Sequence, residues 1–150
     1  MRALLNTDGG ARGNPGPAGI GAVLRDAEGN VIDDLAEGIG VATNNVAEYK
    51  ALIAGLRLAL DHGVTEIEAR VDSELIAAQV RGEWKIRNDT LRGLAVEARS
   101  LLERFERWSI GHVPRAQNVD ADRLANQGMD AAELDSTLDR EAGSSPGLFP

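Results

Sequence analysis

Read from the amino end, the pattern of apolar and polar positions switches between a period of two and a period near 3.6. The apolar run Ala3-Leu4-Leu5 reads as a short buried strand ending on Asp8, and the glycine-rich stretch after it reads as a loop that cannot continue the strand. Residues 18–24 alternate, with Ala18, Ile20, Ala22 and Leu24 on one face, and predict a second strand. A turn at residues 26–30 returns the chain into a third strand over 31–39, where Asp33 and Asp34 suit a sheet edge. The chain therefore opens as an antiparallel meander. Thr43-Asn44-Asn45 then caps a helix running to about His62, with Gly63 as its stop. Val46, Tyr49, Ile53, Leu56 and Leu60 recur at helical spacing, and Ala47, Ala51, Ala54 and Leu58 make most of the remainder apolar, which predicts a central, largely buried helix. Glu48 falls in its first turn, where a charge needs a partner or a task.

The second half alternates strand and helix. Ile67, Ala69 and Val71 mark a strand over 66–72 that ends on Asp72. Ser73 can cap a short helix ending near Gly82, and Asn88 or Asp89 a longer one with a stripe from Leu91 to Phe105. Residues 108–113 predict the last strand, and Asn118 can start a final helix with Ala121, Leu124, Ala125 and Met129 on one face. After Met129 the composition turns acidic, then Gly-Ser-Ser-Pro-Gly, so residues 131–150 are expected to form a disordered tail behind a domain of residues 1–130. The order βββαβααβα calls for an α/β fold, a mixed sheet with helices on its faces.

Composition narrows the chemistry. With no cysteine among 150 residues, disulfides, thiolate zinc sites and a Cys nucleophile are excluded. No apolar run of membrane-spanning length and no basic-then-apolar leader is evident, which makes a cytoplasmic protein the expectation. The net charge of −8 argues at first against nucleic acid, but residues 130–150 carry half of it. Bound cations at the four carboxylates named below would bring the body near neutrality, and Arg81, Lys85, Arg87 and Arg92 form a locally basic stretch. Gly19-Ile20-Gly21 lacks the third glycine of a dinucleotide fingerprint, and the glycine-rich loop lacks the Gly-Lys-Ser/Thr of a phosphate-binding P-loop. Neither His62 nor His112 has a partner at metal-ligand spacing.

Four carboxylates remain. Asp8 and Asp72 end strands, while Glu48 and Asp122 lie near the starts of helices, and in α/β sheets these ends converge on ligand sites. Singly, Asp8 reads as a turn residue, Asp72 as a helix start and Asp122 as a solvated helix residue. Together they would repel one another unless cations neutralised them, and an all-oxygen set suits Mg²⁺ or Mn²⁺ better than zinc. Two such ions can activate water and stabilise a leaving oxygen in phosphoryl displacement. The pattern alone leaves the reaction open.

Thr7-Asp8-Gly9-Gly10 with Gly13-Asn14-Pro15-Gly16-Pro17, Thr43-Asn44-Asn45-Val46-Ala47-Glu48, Val71-Asp72-Ser73, and His112-Val113-Pro114-Arg115 with Asn118, Ala121-Asp122 and Leu124-Ala125-Asn126 resemble type 1 ribonuclease H over about residues 1–130. The resemblance implies a five-stranded mixed sheet whose last two strands run parallel to the first. It also implies hydrolysis of the RNA strand of RNA–DNA hybrids with two Mg²⁺ ions, leaving 3′-hydroxyl and 5′-phosphate ends. It makes Asp8, Glu48, Asp72 and Asp122 the metal-binding quartet, and Asn14, Asn44 and Asn45 hybrid contacts, with Gly10 and Ala11 offering backbone groups. Amides and backbone can address the 2′-hydroxyl that marks RNA. Capping and turn formation are the other roles open to those asparagines.

The chain departs from better-known members twice. Arg115, seven residues before Asp122, stands where many carry a mobile His; His112 is the other candidate, in a strand-like run. A basic protrusion used to grip hybrid is missing or shortened between Val80 and Leu94, which implies a compact form. Trp84 remains there, able to lie on sugar or base, or to serve as a lid or core aromatic. A monomer is the expected state. The rival readings are another two-metal nuclease of the same fold and a non-catalytic hybrid-binding module.

Overall fold

Strands and helices follow in the predicted order: β1 (Arg2–Ala11), β2 (Gly16–Asp26), β3 (Val31–Ala42), α1 (Asn44–Asp61), β4 (Glu66–Val71), α2 (Glu74–Arg81), α3 (Asp89–Leu102), β5 (Arg107–His112) and α4 (Val119–Gly143). A single 3₁₀ turn, Arg115–Gln117, precedes α4. The computed structural model describes residues 1–143. The sheet order is β3-β2-β1-β4-β5, which places β1 at the centre and β3, with Asp33 and Asp34, at an edge. β1, β2 and β3 pair antiparallel, and β4 and β5 run parallel to β1. The expected α/β fold is borne out. No helix among the described residues is long and apolar enough to cross a membrane.

Side-chain alternation along β1 assigns the two faces of the sheet. A Cβ on Gly55 of α1 would lie 2.9 Å from both Leu5 and Thr7, whereas Asn6, between them, hydrogen-bonds Asn118 just ahead of α4. So α1 covers one face and α4 the other. The main core lies between the sheet and α1 to α3, built from Leu5, Leu24, Tyr49, Leu52, Leu56, Ile76 and Leu102 among others. Tyr49 brings a hydroxyl into it, satisfied by donation to Gln79 Oε1 at 2.6 Å.

The other face is assembled differently. A Cβ on Gly19 would come within 2.4 Å of the backbone of Ala125 and Met129, and one on Gly21 within 2.5 Å of Ala121 O and Ala125 N. On the helix, a Cβ on Gly128 would lie 2.2 Å from Glu37 O. Glycine at these positions lets α4 rest on β2 and β3 backbone to backbone. The Gly19-x-Gly21 spacing, which falls short of a nucleotide fingerprint, is the seat of a helix.

Three expectations are corrected. β1 does not stop at Asp8 but runs on to Ala11, pairing Gly9 with Ile20, Gly10 with Gly19 and Ala11 with Ala18. The glycines are tolerated in the strand because another backbone needs the space: a Cβ on Gly9 would lie 2.2 Å from Ala47 O. Glu48 is not in the first turn of α1, because Thr43 caps a helix that already begins at Asn44. It sits one turn in. The segment after Met129 is not a disordered tail up to Gly143, since α4 continues through it. Ala132 is buried, and Asp130 and Glu133 both pair with Arg12. Residues 144–150 of that expected tail lie outside the described residues.

Candidate active site

Parallel pairing of β1 with β4 ends at Asn6 opposite Arg70. Asp8 and Asp72 are each two residues further on, so the period of the strand directs both to the same side beyond the last shared pair. Gly9 then lets the α1 backbone at Ala47 and Glu48 settle beside Asp8. The outcome is a cluster in which one carboxylate oxygen each of Asp8, Glu48 and Asp72 lies within 4.8 Å of the others. Asp122, in the first turn of α4, lies close enough to hydrogen-bond Asp8. The structure thus brings together all four carboxylates expected from the sequence.

Their electrostatics are those of a site short of positive charge. Asp8 is only 9% exposed. Burial first, and then Asp72, Asp122 and Glu48, push its carboxyl up to about 8. Burial and Asp72 push Glu48 up to about 7, with a hydrogen bond to Ser73 acting in the opposite direction. Asp72 is also raised by burial, although Arg115 opposes the rise. Arg115 opens the 3₁₀ turn and reaches Asp122 Oδ1 at 3.2 Å. One exposed guanidinium does not balance four acids. The donors are all carboxylate oxygens, a set that fits hard divalent cations.

Beside the cluster, Asn14, Ala11 and Asn44 are knitted together. Asn14 Oδ1 accepts from the Asn44 backbone N–H at 3.1 Å, and Asn44 Oδ1 accepts from the Ala11 N–H at 2.8 Å. The carbonyl ends of both side chains are engaged internally, and both residues are exposed. Gly10 lies against Met129, since a Cβ there would be 3.4 Å from its methyl, and Asn45 is half-buried in the first turn of α1. Trp84 is not part of this cluster. It is 47% exposed on the short connection between α2 and α3, in a groove of about 660 Å³ shared with Gln79, Lys85, Arg87 and Arg92. Residues 82–88 are all that joins the two helices, consistent with a compact form. His112 is the exposed last residue of β5.

Sequence reading missed the part played by Asn118. It is not merely a helix start: its side chain is 1% exposed, accepts from Asn6 Nδ2 at 2.9 Å and donates to Thr7 O at 2.9 Å. Its backbone accepts from Asp122 N at 3.0 Å and donates to Arg115 O at 2.9 Å. One amide thus fastens the origin of α4, and with it Asp122 and Arg115, to the strand that carries Asp8. The hint in sequence is its place in the motif quoted above, four positions before Asp122. Ser73 likewise does more than cap α2 through Ile76 N, because it also touches Glu48.

Residues 6–128 match the family model described as reverse transcriptase-like. The bifunctional protein Rv2228c of Mycobacterium tuberculosis is 46% identical over 142 residues, covering 94% of this chain and 39% of that protein. Ribonuclease HI of Halobacterium salinarum is 50% identical over 125 residues, covering 83% of this chain and 63% of that protein. The chain therefore spans about two-fifths of the mycobacterial relative and under two-thirds of the halobacterial one. Among solved structures, the N-terminal ribonuclease H domain of Rv2228c superimposes with a TM-score of 0.88 at 47% identity, covering 91% of this chain and 99% of that one. LC11 ribonuclease H1, solved in complex with an RNA/DNA hybrid, gives 0.82 at 41% identity, covering 87% and 98%. With identity at this level across the whole of those domains, and with the sheet order and acidic cluster already described, the chain belongs to the ribonuclease H family.

Proposed function

We propose that this chain is an endoribonuclease that hydrolyses the RNA strand of RNA–DNA hybrids, leaving 3′-hydroxyl and 5′-phosphate ends. The observation that carries the reading is the cluster of Asp8, Glu48 and Asp72, with Asp122 against it, beside the exposed Asn14 and Asn44. Asp8, Glu48, Asp72 and Asp122 would hold two divalent cations, Mg²⁺ by preference with Mn²⁺ able to replace it. When bound, the ions supply Lewis-acid activation of water and neutralise charge on the scissile phosphate.

The chain's own residues do the rest. Asp8 and Asp72, fixed by the β1–β4 register, set the centre of the site. Glu48, oriented by Ser73, is placed to accept a proton in a hydrogen bond from the attacking water or the RNA 2′-hydroxyl. Asp122 completes the acidic wall, and Arg115, exposed on the 3₁₀ turn beside it, attracts the phosphate and helps product leave. Asn14, Asn44 and Asn45, with the backbone of Gly10 and Ala11, receive the two strands across their shallow minor groove, where the 2′-hydroxyls lie. Trp84 offers a flat surface to a sugar or base at the edge of the contact. We take the enzyme to act as a cytoplasmic monomer.

End-labelled hybrid, duplex RNA and duplex DNA incubated with Mg²⁺ or with EDTA test this reading, with Asp8→Asn in parallel. Metal-dependent cutting confined to the RNA of the hybrid, and lost in Asp8→Asn, is the expected result. Binding without cutting would leave a hybrid-binding module, and cleavage of duplex DNA would move the chain to a sister nuclease.

A further inference from the structure

Arg12 is the first residue past β1, in the four-residue connection to β2 that also carries Asn14. Its guanidinium crosses to α4, where Nη1 lies 2.6 Å from Asp130 and 3.0 Å from Glu133. Nη2 points at Asn126, 3.4 Å from its backbone oxygen and 3.5 Å from its side-chain oxygen. Asn126 in turn donates to Asp122 O at 2.9 Å. On its other side the connection is tied to α1, through Asn14 to Asn44 N and through Ala11 N to Asn44. A short loop is thus strung between two helices that lie on opposite faces of the sheet. Gly13, at φ 93°, makes the turn within it.

Exposed ion pairs contribute little to global stability, and Asp130 and Glu133 are 68% and 46% exposed. A planar guanidinium held by several acceptors does fix direction well. We propose that Arg12 is a positioning residue for hybrid binding. It holds residues 11–14 at the height where the Ala11 backbone and the Asn14 amide meet the hybrid, and so makes α4 beyond Met129 a working part of the binding surface. The inference rests on the function proposed above. The competing possibility is that Arg12 is itself a phosphate ligand that Asp130 and Glu133 mask. The two differ in sign: neutralising the acids loosens a clasp but uncovers a ligand.

The test measures KM and kcat on labelled hybrid in Mg²⁺ for wild type, Arg12→Ala, the pair Asp130→Asn with Glu133→Gln, and all three together. Asp135→Asn with Asp139→Asn, also on α4, controls for the same change in net charge. Arg12→Ala and the Asp130/Glu133 pair are each expected to raise KM about fivefold with kcat within about twofold, and the triple variant to be no worse than either. The control should not raise KM. A KM that falls below the control's on neutralising Asp130 and Glu133, an additive triple variant, or an unchanged KM would each overturn the proposal. Amide hydrogen exchange without substrate gives a second reading: residues 11–14 should exchange faster in Arg12→Ala and in the Asp130/Glu133 pair, and unaltered exchange overturns the proposal. Because exchange needs no turnover, a wild-type protein that cut no hybrid would refute the proposed activity, while the hold of Arg12 on residues 11–14 would still be measured separately.

Discussion

Replacing Asp8 by Asn should abolish activity while making the metal-free protein more stable, and the gain should depend on pH. The folded state raises the Asp8 carboxyl from 3.8 to about 8. Between those values the native state binds more protons than the unfolded chain, so stability falls as pH rises through the window. This is the reverse of a salt-bridged carboxylate. At about 1.4 kcal/mol per tenfold change, a carboxyl so raised costs about 5 kcal/mol at pH 8 and well under 1 kcal/mol at pH 4. Asp72, Asp122 and Glu48 share the repulsion, so part of the relief passes to them, and a gain of about 2–3 kcal/mol at pH 8 is expected. Asn preserves the shape of the side chain, so no cavity confuses the comparison. Urea denaturation in EDTA at pH 8 and at pH 4 measures it. Saturating Mg²⁺ should narrow or invert the difference, because the ion stabilises the wild type by binding its native state alone. A variant no more stable than wild type at pH 8, or one equally stabilised at pH 4, would falsify the account of the cluster as mutually repelling buried acids.

Asn118→Ala should cost about 2–4 kcal/mol in urea denaturation, since it leaves Asn6 Nδ2 and Thr7 O buried without their partner, and kcat should fall with it as Asp122 loosens. Gly21→Ala should cost about 3 kcal/mol, because its Cβ would press on Ala121 O and Ala125 N, atoms that cannot rotate away. Mg²⁺ titration should show weaker binding in that variant, although Gly21 touches no carboxylate. Tyr49→Phe should cost about 1 kcal/mol by stranding Gln79, with kcat unchanged, and a drop in kcat would mean that the Tyr49–Gln79 pair reaches the site.

How far the molecule was legible in sequence depends on the range of the forces involved. Order and type of the elements came from periodicity, and Thr43, Ser73 and Asn88 announce their helices because a cap bonds only three residues ahead. The carboxylates were legible because an acid directly after an apolar strand run, or early in a largely apolar helix, needs a partner or a task. What stayed hidden depends on partners far away in the chain. Gly9 reads as a loop residue until the backbone of Ala47 is known to lie over it. Asp130 and Glu133 read as a solvated tail until Arg12, more than a hundred residues earlier, takes hold of them. Asn118 reads as a capping residue, and only Asn6 and Thr7 make it a buried rivet.

The glycine seat of α4 has a further consequence. Where two surfaces meet through side chains, rotamers can adjust and a helix can creep along its axis. Here Gly19, Gly21 and Gly128 put backbone on backbone, which leaves little that can adjust. Sliding α4 by one residue, about 1.5 Å, would drive a methyl into a strand. The distance from Asp122 to Asp8 is therefore gauged away from the chemistry, by positions that bear no functional group. The fourth carboxylate keeps its station as a pin does in a keyed shaft, and drift in the geometry of the carboxylate cluster is expected to trace to those glycines before it traces to the acids.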